Sequence, residues 1–301
     1  MLSPMAPGIQ RYRVGDFDIA VVSDGTMRLD GGAVFGIVPR VLWEPVVGSE
    51  HIDREHRIPL GLNCMLVRRG EHVLLVETGL GNKLEGAMRE KVFPGDYGYL
   101  LQRLEHLGIR PEDVTAVANT HLHADHCGWN TVRRGGDIVP TFPRARYYVQ
   151  KGEFEAAMHP NERTRATYLA ENFEPLLRSG QLELVEGEAE IIPGVHFLPT
   201  PGHTVDHASI VLSSGGETAI YTGDLVHHEV QLERPAWIAA FDVLPLVSLE
   251  TKKRLAERAI RERALLICVH NTFPGVGRLV EEGGKRRFVP EPGLTEGDEA
   301  P

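Results

Sequence analysis

Six residues near the middle of the chain, His121-Leu122-His123-Ala124-Asp125-His126, constrain its fold more than any other feature. They follow a β-branched run, Val114 to Asn119, that is typical of a buried strand. Two histidines at i and i+2 of a strand end can point at one cation, while Asp125 and His126 can reach a second cation around the following turn. Nitrogen and carboxylate donors in this mixture suit Zn, Fe, Mn or Co better than Mg or Ca.

Three later strand-like runs end in the same kinds of residue. Phe197 to Pro199 leads into His203, Ile220 to Thr222 leads into Asp224, and Leu266 to Val269 leads into His270. A polar loop that happens to contain histidines would explain one HxH pair, but not so tight a cluster in a chain with 14 His among 301 residues. Ligands at the C-terminal ends of successive strands would converge on one edge of a sheet sandwich.

Short β-branched runs alternate with helical stretches along the chain, which predicts a mixed α/β fold. The predicted strands are Asp18 to Ser23, Asn63 to Val67, His72 to Glu77, Val114 to Asn119, Arg146 to Gln150, His196 to Pro199, Ala208 to Leu212, Glu217 to Thr222 and Leu265 to Val269. The predicted helices are Tyr97 to Leu107, Gly152 to Met158, Thr164 to Arg178 and Ser248 to Arg263, the last with Ser248 as N-cap.

The chain shows no internal repeat and no low-complexity linker, so we expect one domain over residues 1–301. It would carry an N-terminal extension over about residues 1–60 and a loose tail from about Gly283.

Composition and charge exclude several classes of protein. A net charge of -10, from 42 acidic and 32 basic residues, disfavours nucleic acid as a partner. The three cysteines form no CxxC pair, so we expect no disulfide framework and a reducing compartment, the cytoplasm. No apolar run approaches the ~20 residues that a membrane-spanning helix needs, so we expect no membrane partner.

The strings HLHADH, TPGHT and TGD and the strand-end His270, in this order, resemble the metallo-β-lactamase superfamily over about residues 20–290. The resemblance implies a four-layer αβ/βα sandwich and two divalent metal ions, with Zn favoured and Fe, Mn or Co as alternatives. It implies that the first ion is held by three histidines, the second by an aspartate and two histidines, and that a second aspartate bridges them. These ligands are, in that order, His121, His123 and His203; Asp125, His126 and His270; and Asp224.

Aspartate at position 224 separates this chain from the better-known zinc β-lactamases, which have a Cys ligand there. Five further strings resemble the subgroup that contains quorum-quenching lactonases of the YtnP type and methyl parathion hydrolase. They are Val34 to Pro39, Thr78 to Lys83, Gly128 to Thr131, Pro140 to Pro143 and Phe273 to Arg278. The resemblance therefore implies a small-molecule hydrolase, with N-acyl homoserine lactones or similar lactones as the leading substrates.

Two main alternatives stay open at this stage, with thioester hydrolysis and β-lactam cleavage ranked below them. The first is hydrolysis of aryl esters or organophosphate triesters, because the same nucleophile can attack carbonyl carbon or tetrahedral phosphorus. The second is a metal-binding protein without catalytic activity on the same fold.

The expected reaction uses a hydroxide that bridges two metal ions, because metal binding lowers the pKa of water towards about 7. The expected catalytic residues are Asp125, Asp224 and His227, with Asp125 returning a proton and His227 in the place where such lactonases have a Tyr that contacts the substrate carbonyl. We leave open whether His228 shares that role.

Four other features have more modest interpretations. Glu77 stands where the superfamily usually has an Asp that braces the metal ligands, so that brace is either shifted or lost. We expect a structural role for His207 and a buried, unreactive Cys127. The segment Phe35 to Ile58 either packs over the site, or across a possible homodimer, or forms a plain surface loop.

Overall fold

The computed structural model describes residues 7–295, which form two β-sheets that follow one another along the chain. The strands of the first sheet are β1 (Ile9–Val14), β2 (Phe17–Asp30), β3 (Arg57–Arg69), β4 (His72–Val76), β5 (Gly95–Tyr97), β6 (Ala116–Ala118), β9 (Arg146–Gln150) and β10 (Leu182–Val185). They lie in the order β1-β2-β3-β4-β6-β9-β10, with β5 paired to β2. Strands β7 (Thr131–Arg134) and β8 (Asp137–Pro140) form a separate hairpin.

The second sheet is built entirely from the later part of the described chain, and its seven strands lie in sequence order. They are β11 (Glu190–Ile192), β12 (Val195–Pro199), β13 (Ala208–Ser214), β14 (Glu217–Tyr221), β15 (Leu265–Ile267), β16 (Val276–Glu282) and β17 (Lys285–Pro290). Only β14 and β15 pair in parallel, because α-helical chain connects them.

The α-helices are α1 (Gly31–Phe35), α2 (Arg40–Val47), α3 (Leu100–His106), α4 (Ala124–Cys127), α5 (Lys151–Met158), α6 (Glu174–Arg178), α7 (Val230–Glu233) and α8 (Pro245–Glu262). Short 3-10 turns occupy Ser49–His51, Pro111–Asp113, Gly128–Asn130, Ala170–Asn172 and Gly223–Leu225, and a π turn occupies Met88–Val92. Within residues 7–295, no helix has the length and apolar character that crossing a membrane requires.

Alternating side chains place β2 between two different layers. Phe17, Ile19 and Val21 point into the core between the sheets, while Ala20 and Val22 face the opposite layer. That outer layer contains apolar side chains of α3 and α6. The period of two is the expected consequence of extended backbone geometry in a sheet that is covered on both faces.

The second sheet follows the same rule. On β13, Ile210 and Leu212 face the first sheet, while Val211 packs in the outer layer with Leu255 and Ala256 of α8. The order of layers is therefore helix, sheet, sheet, helix, and the predicted αβ/βα sandwich is confirmed.

All nine predicted strands are present, with ends that differ by a few residues at most sites. Strand β9 has the predicted bounds, and β2 and β3 extend well beyond theirs. Eight further strands were not predicted, because most are short or lack clear alternation.

The predicted helix from Thr164 to Arg178 is confirmed only over Glu174–Arg178, and the part of it predicted before Glu174 is wrong. Tyr168 instead forms an isolated β-bridge with His123, and the Thr167 carbonyl accepts from Ala124 N at 2.8 Å. A helix begins only at Glu174, where Pro175 occupies a first-turn position that needs no amide hydrogen.

Helix α8 begins earlier than predicted, since Pro245 occupies its first turn and Leu244 is its N-cap, so Ser248 is not the cap. In the predicted helix from Tyr97 to Leu107, Tyr97 ends strand β5 and the helix begins at Leu100. The predicted helices over α5 and α8 are otherwise confirmed.

Both predicted ends need correction. Strands β1 and β2 lie within the supposed N-terminal extension but belong to the first sheet, and β17 lies within the supposed tail but pairs with β16. The segment between β2 and β3 contributes buried aromatic side chains. Trp43 stacks on Phe35 with 5.3 Å between ring centroids, and Phe35 meets Trp237 edge-on with 5.7 Å between centroids.

Candidate metal centre

The seven predicted ligands converge on one edge of the sandwich, and all seven are buried. His121, His123, Asp125 and His126 lie in the loop after β6 and in α4. The other three follow strands of the second sheet: His203 after β12, Asp224 after β14 and His270 after β15. Strands β12, β14 and β15 run in the same direction in the second sheet, so their C-terminal ends lie at the same edge.

Three imidazole nitrogens and one carboxylate oxygen form the first group of possible ligands: His121, His123, His203 and Asp224. His123 Nδ1 lies 3.1 Å from His121 Nε2 and 3.0 Å from His203 Nε2. Asp224 Oδ2 is 3.3 Å from His203 Nε2. Four donors at about 2.0–2.1 Å from a tetrahedral zinc ion lie about 3.3 Å apart, so these spacings fit such an ion.

The second group consists of Asp125, His126, Asp224 and His270. Asp224 Oδ1 lies 3.1 Å from His126 Nε2 and 3.0 Å from His270 Nε2. Asp125 Oδ2 lies 3.5 Å from each of the same two nitrogens. Asp224 is the member that the two groups share, with one oxygen facing each of them.

Several of these buried atoms have no hydrogen-bond partner among the described residues. They include His126 Nε2, His270 Nε2 and Asp224 Oδ1, all in the second group. Buried polar atoms are nearly always satisfied in proteins, and an unpartnered set that converges on one point fits a cation. The donor chemistry therefore fits divalent metal ions in both groups.

The protein environment favours the metal-binding form of His121 and Asp224, whereas at His126, His203 and His270 neighbouring carboxylates outweigh burial and raise the pKa of the imidazole. Burial lowers the pKa of His121 well below its usual value, and His126 and His123 add to this effect. Burial raises the pKa of the Asp224 carboxyl, but the neighbouring imidazoles, His126 foremost, outweigh it and hold that pKa well below its usual range. A neutral imidazole and an ionised carboxylate are the forms that bind metal.

Contacts behind the imidazoles orient two of them. His270 Nδ1 lies 2.8 Å from the Gly61 carbonyl, and His203 Nδ1 lies 3.0 Å from Asp242 Oδ1. An acceptor at Nδ1 keeps the ring hydrogen there and leaves the Nε2 lone pair facing the centre.

His207 has the structural role predicted for it. Its Nε2 accepts from Asp224 N at 3.0 Å, and its Nδ1 lies 2.9 Å from Thr200 Oγ1. Gly223, at φ 54°, passes so close that a Cβ there would lie 2.5 Å from His207 Nε2. The glycine of the TGD string therefore permits the close approach that aims Asp224.

Cys127 is fully buried, as predicted, and burial raises the pKa of its thiol. The thiol donates to the carbonyls of Leu122 and His123, at 3.4 and 3.2 Å. A protonated thiol with these partners is a poor nucleophile.

The sequence profile of the metallo-β-lactamase superfamily matches residues 57–269. The chain belongs to the metallo-β-lactamase superfamily. The match spans every predicted ligand except His270, which follows the last matched residue directly.

Relatives of this metallo-β-lactamase superfamily member are hydrolases. An N-acyl homoserine lactonase from a Bacillus species is 29% identical over 221 residues, which cover 69% of this chain and 80% of that protein. The crystal structure of a probable metal-dependent hydrolase from Staphylococcus aureus has a TM-score of 0.83 at 25% identity, covering 94% of this chain and 100% of that one. AidC, a dizinc quorum-quenching lactonase solved with a product, shares the fold with a TM-score of 0.79 at 21% identity, over 96% of this chain and 99% of AidC. The chain is a metal-dependent hydrolase.

Glu77 keeps a bracing role in this superfamily member. Its Oε1 accepts from Thr120 N at 2.8 Å, and its Oε2 accepts from Asn119 Nδ2 at 3.2 Å and lies 3.6 Å from His126 Nδ1. The Glu77 backbone is left-handed, at φ 63°. The brace is therefore retained by Glu77.

His227 faces the centre and His228 does not. His227 is buried, with its Nε2 3.1 Å from Asp224 Oδ2 and its ring against Phe241 at 4.9 Å. His228 is half-buried, and its ring packs against Phe35 at 5.6 Å.

A largely apolar cleft of about 220 Å³ opens beside His123. Its walls come from the segment after α5 and the segment before α8. The lining residues are His123, Arg163, Thr164, Thr167, Ala240, Phe241 and Val243.

Two buried carboxylates near the centre were not found from the sequence. Glu153 Oε1 accepts from Leu122 N at 3.0 Å and from the Tyr168 hydroxyl at 2.9 Å, which fixes the turn between His121 and His123. The other is Asp242, behind His203. Neither lies in a motif, so the only available signal was an acidic residue within an otherwise apolar helix face or loop.

Proposed function

We propose that this protein is a dinuclear metal-dependent lactonase that opens N-acyl homoserine lactones or closely similar lactones. The observation that carries the proposal is the pair of buried ligand groups that share Asp224, beside an apolar cleft that begins at His123. The Bacillus relative named as an N-acyl homoserine lactonase supports the choice of substrate.

The ligand assignment follows the two groups. One ion would be held by His121, His123 and His203 and the other by Asp125, His126 and His270, with Asp224 bridging them. Nitrogen-rich donors of this kind favour zinc, and iron, manganese and cobalt fit the same donors. When bound, such ions polarise the lactone carbonyl and lower the pKa of water enough for it to act as the nucleophile.

The protein's own side chains then handle the protons. His227 would donate a hydrogen bond to the carbonyl oxygen as negative charge develops on it, because its Nε2 has no hydrogen-bond partner among residues 7–295 and faces the centre. Asp125 would hold the proton released by the attacking water. It would return that proton to the alkoxide when the ring C–O bond breaks, which gives the open hydroxy acid.

The cleft supplies a place for the acyl chain. Ala240, Phe241 and Val243 give it an apolar wall directly beside His123. An acyl chain lying on this wall would bring the lactone carbonyl to the metal centre and exclude water from one side of the ring.

A panel of purified substrates tests this proposal. We expect kcat/KM for acyl homoserine lactones to exceed the values for aryl esters and phosphotriesters. Aryl esters or phosphotriesters turning over faster by a factor of about ten or more would refute the lactonase assignment and favour the methyl parathion hydrolase type of activity.

Adjacent histidines provide a matched pair of variants for the role of His227. We expect His227→Phe to lower lactonase kcat/KM by about 10- to 100-fold with unchanged metal content, a usual effect for one hydrogen-bond donor or general acid. His228→Phe should stay near the wild-type value because that ring points away from the centre. Equal activities in the two variants would remove His227 from the mechanism.

The cytoplasmic location and the homodimer stay predictions. The three cysteines are free and buried, which is compatible with a reducing compartment.

A further inference from the structure

Asp242 is a buried carboxylate in the segment between α7 and α8, and it lies outside the seven ligands proposed above. Its Oδ1 is 3.0 Å from His203 Nδ1. A buried carboxylate is costly unless a specific partner stabilises it, and His203 is that partner.

The two nitrogens of the His203 ring face opposite ways. Nε2 faces the first ligand group, 3.0 Å from His123 Nδ1 and 3.3 Å from Asp224 Oδ2, while Nδ1 faces Asp242. A neutral imidazole carries one ring hydrogen, and a carboxylate beside Nδ1 keeps that hydrogen on Nδ1. Nε2 is then left with a free lone pair directed at the metal position.

The backbone directly after Asp242 is tied to the same loop as His203. Val243 N donates to the His203 carbonyl at 3.1 Å, and Leu244 N donates to the Gly202 carbonyl at 2.9 Å. At the start of the segment, Lys252 Nζ of α8 donates to the Trp237 carbonyl at 2.6 Å. The carboxylate is therefore held at a fixed distance from the imidazole.

The same segment forms one wall of the cleft. Ala240, Phe241 and Val243 line it, and the Phe241 ring meets the His203 ring edge-on at 6.3 Å between centroids. A shift of this segment would therefore move the cleft wall and the acceptor of His203 together.

We propose that Asp242 is a positioning residue that fixes the orientation and ring hydrogen of His203, and that it thereby links metal affinity at the first group to the shape of the cleft. This inference rests on the proposed metal centre but not on the choice of lactone as substrate. A carboxylate hydrogen-bonded to the ring nitrogen that does not bind the metal, here Nδ1, raises the basicity of the imidazole and restricts the rotation of its ring.

The test compares Asp242→Ala and Asp242→Asn with the control Asp206→Asn. Asp206 is an aspartate three residues after His203 in the sequence. Its carboxylate accepts from Gly152 N at 2.9 Å, and it belongs to neither ligand group. Metal-free full-length proteins are reloaded with zinc, and the two dissociation constants are measured by competition with a chelator. The absorption spectrum after cobalt loading reports the ligand geometry independently of activity.

We expect Asp242→Ala to weaken one of the two zinc sites by about 10- to 100-fold, leave the other unchanged and alter the cobalt spectrum. Asp242→Asn keeps an acceptor oxygen without the charge, so its loss should be smaller. The control should match the wild type. Phe241 lines the cleft and adjoins Asp242, so KM for the lactone should also rise. The rise should be larger in Asp242→Ala than in Asp242→Asn, as for the zinc dissociation constant.

Several outcomes would overturn the inference. Wild-type zinc affinity and an unchanged cobalt spectrum in a folded Asp242→Ala protein would do so, and if that variant does not fold, the same result in Asp242→Asn counts equally. His203, His227 and Asp242 also lie close enough to hold an ion of their own, so a third ion that disappears in the variants would make Asp242 a ligand instead. A wild type that binds two ions but opens no lactone would refute the proposed substrate alone.

Discussion

Replacing Glu77 by Gln isolates the charge of the brace behind the metal ligands. The two side chains have nearly the same shape, and both must adopt the left-handed backbone at φ 63°, so backbone strain is the same in each protein. Gln can still accept from Thr120 N through its carbonyl oxygen. Its amide group, however, would face Asn119 Nδ2, which donates to Glu77 at 3.2 Å in the wild type.

Asn119 cannot relieve this conflict by turning its amide over. Its Nδ2 also donates to the His126 carbonyl at 3.0 Å, and its Oδ1 accepts from Asn130 Nδ2 at 2.8 Å. The variant therefore loses the hydrogen bond from Asn119 Nδ2 to a charged carboxylate. In its place, two amide NH2 groups, that of Asn119 and that of the new glutamine, face each other. A hydrogen bond to a charged group contributes about 1.5–3 kcal/mol, so we expect the free energy of unfolding to fall by about 2–3 kcal/mol.

Metal binding should weaken as well, because Glu77 Oε2 lies 3.6 Å from His126 Nδ1, and a carboxylate behind a metal-binding imidazole orients the ring and raises its basicity. We expect about 10- to 100-fold weaker binding at the group containing His126. Urea unfolding of the metal-free protein measures the first effect, and chelator competition measures the second. Glu77→Asp, which keeps the charge with a shorter reach, should fall between Gln and the wild type. A Gln variant with the wild-type urea midpoint and zinc affinity would refute this reasoning.

Three further predictions concern the metals, the nucleophile and a buried lysine. Protein purified without chelator should contain about two divalent ions per chain by elemental analysis, and trace metal with no gain on reloading would contradict the dinuclear centre. Asp224→Ala should lose nearly all hydrolysis while Cys127→Ala stays active in the same assay, whereas equal losses would point to the thiol. Burial lowers the pKa of Lys252 to about 8, against about 10.4 in an unfolded chain, so the unfolded state binds more protons between these values. The free energy of unfolding of the wild type should therefore rise between pH 8 and about 10, and this rise should be absent in Lys252→Met. If urea unfolding gives the same pH dependence of the free energy of unfolding for both proteins, Lys252 contributes nothing to it.

The ligands were predictable because they are encoded locally. Each lies shortly after a predicted strand, at the edge of the sheet where that strand ends. The same runs predicted a mixed α/β fold, and the four-layer sandwich came from the resemblance of HLHADH, TPGHT and TGD, in this order, to the metallo-β-lactamase superfamily.

The supporting residues were not predictable because their partners are distant in sequence. Asp242 meets His203 across 39 positions, and Glu153 meets Leu122 across 31. The segment from Thr164 to Arg178 was misread for a related reason: its helical composition is overridden by the long-range bridge between Tyr168 and His123.

The separation of the two sheets along the chain also offers a way to divide the protein. Every strand of the first sheet ends at or before Val185, and every strand of the second begins at or after Glu190, so a cut between these residues breaks no strand in residues 7–295. Neither fragment would contain a complete four-residue ligand group, since the first carries His121, His123, Asp125 and His126 and the second carries His203, Asp224 and His270. Two separately expressed halves could therefore recreate the shared centre only by reassociating across the sandwich interface, and metal uptake would report their complementation.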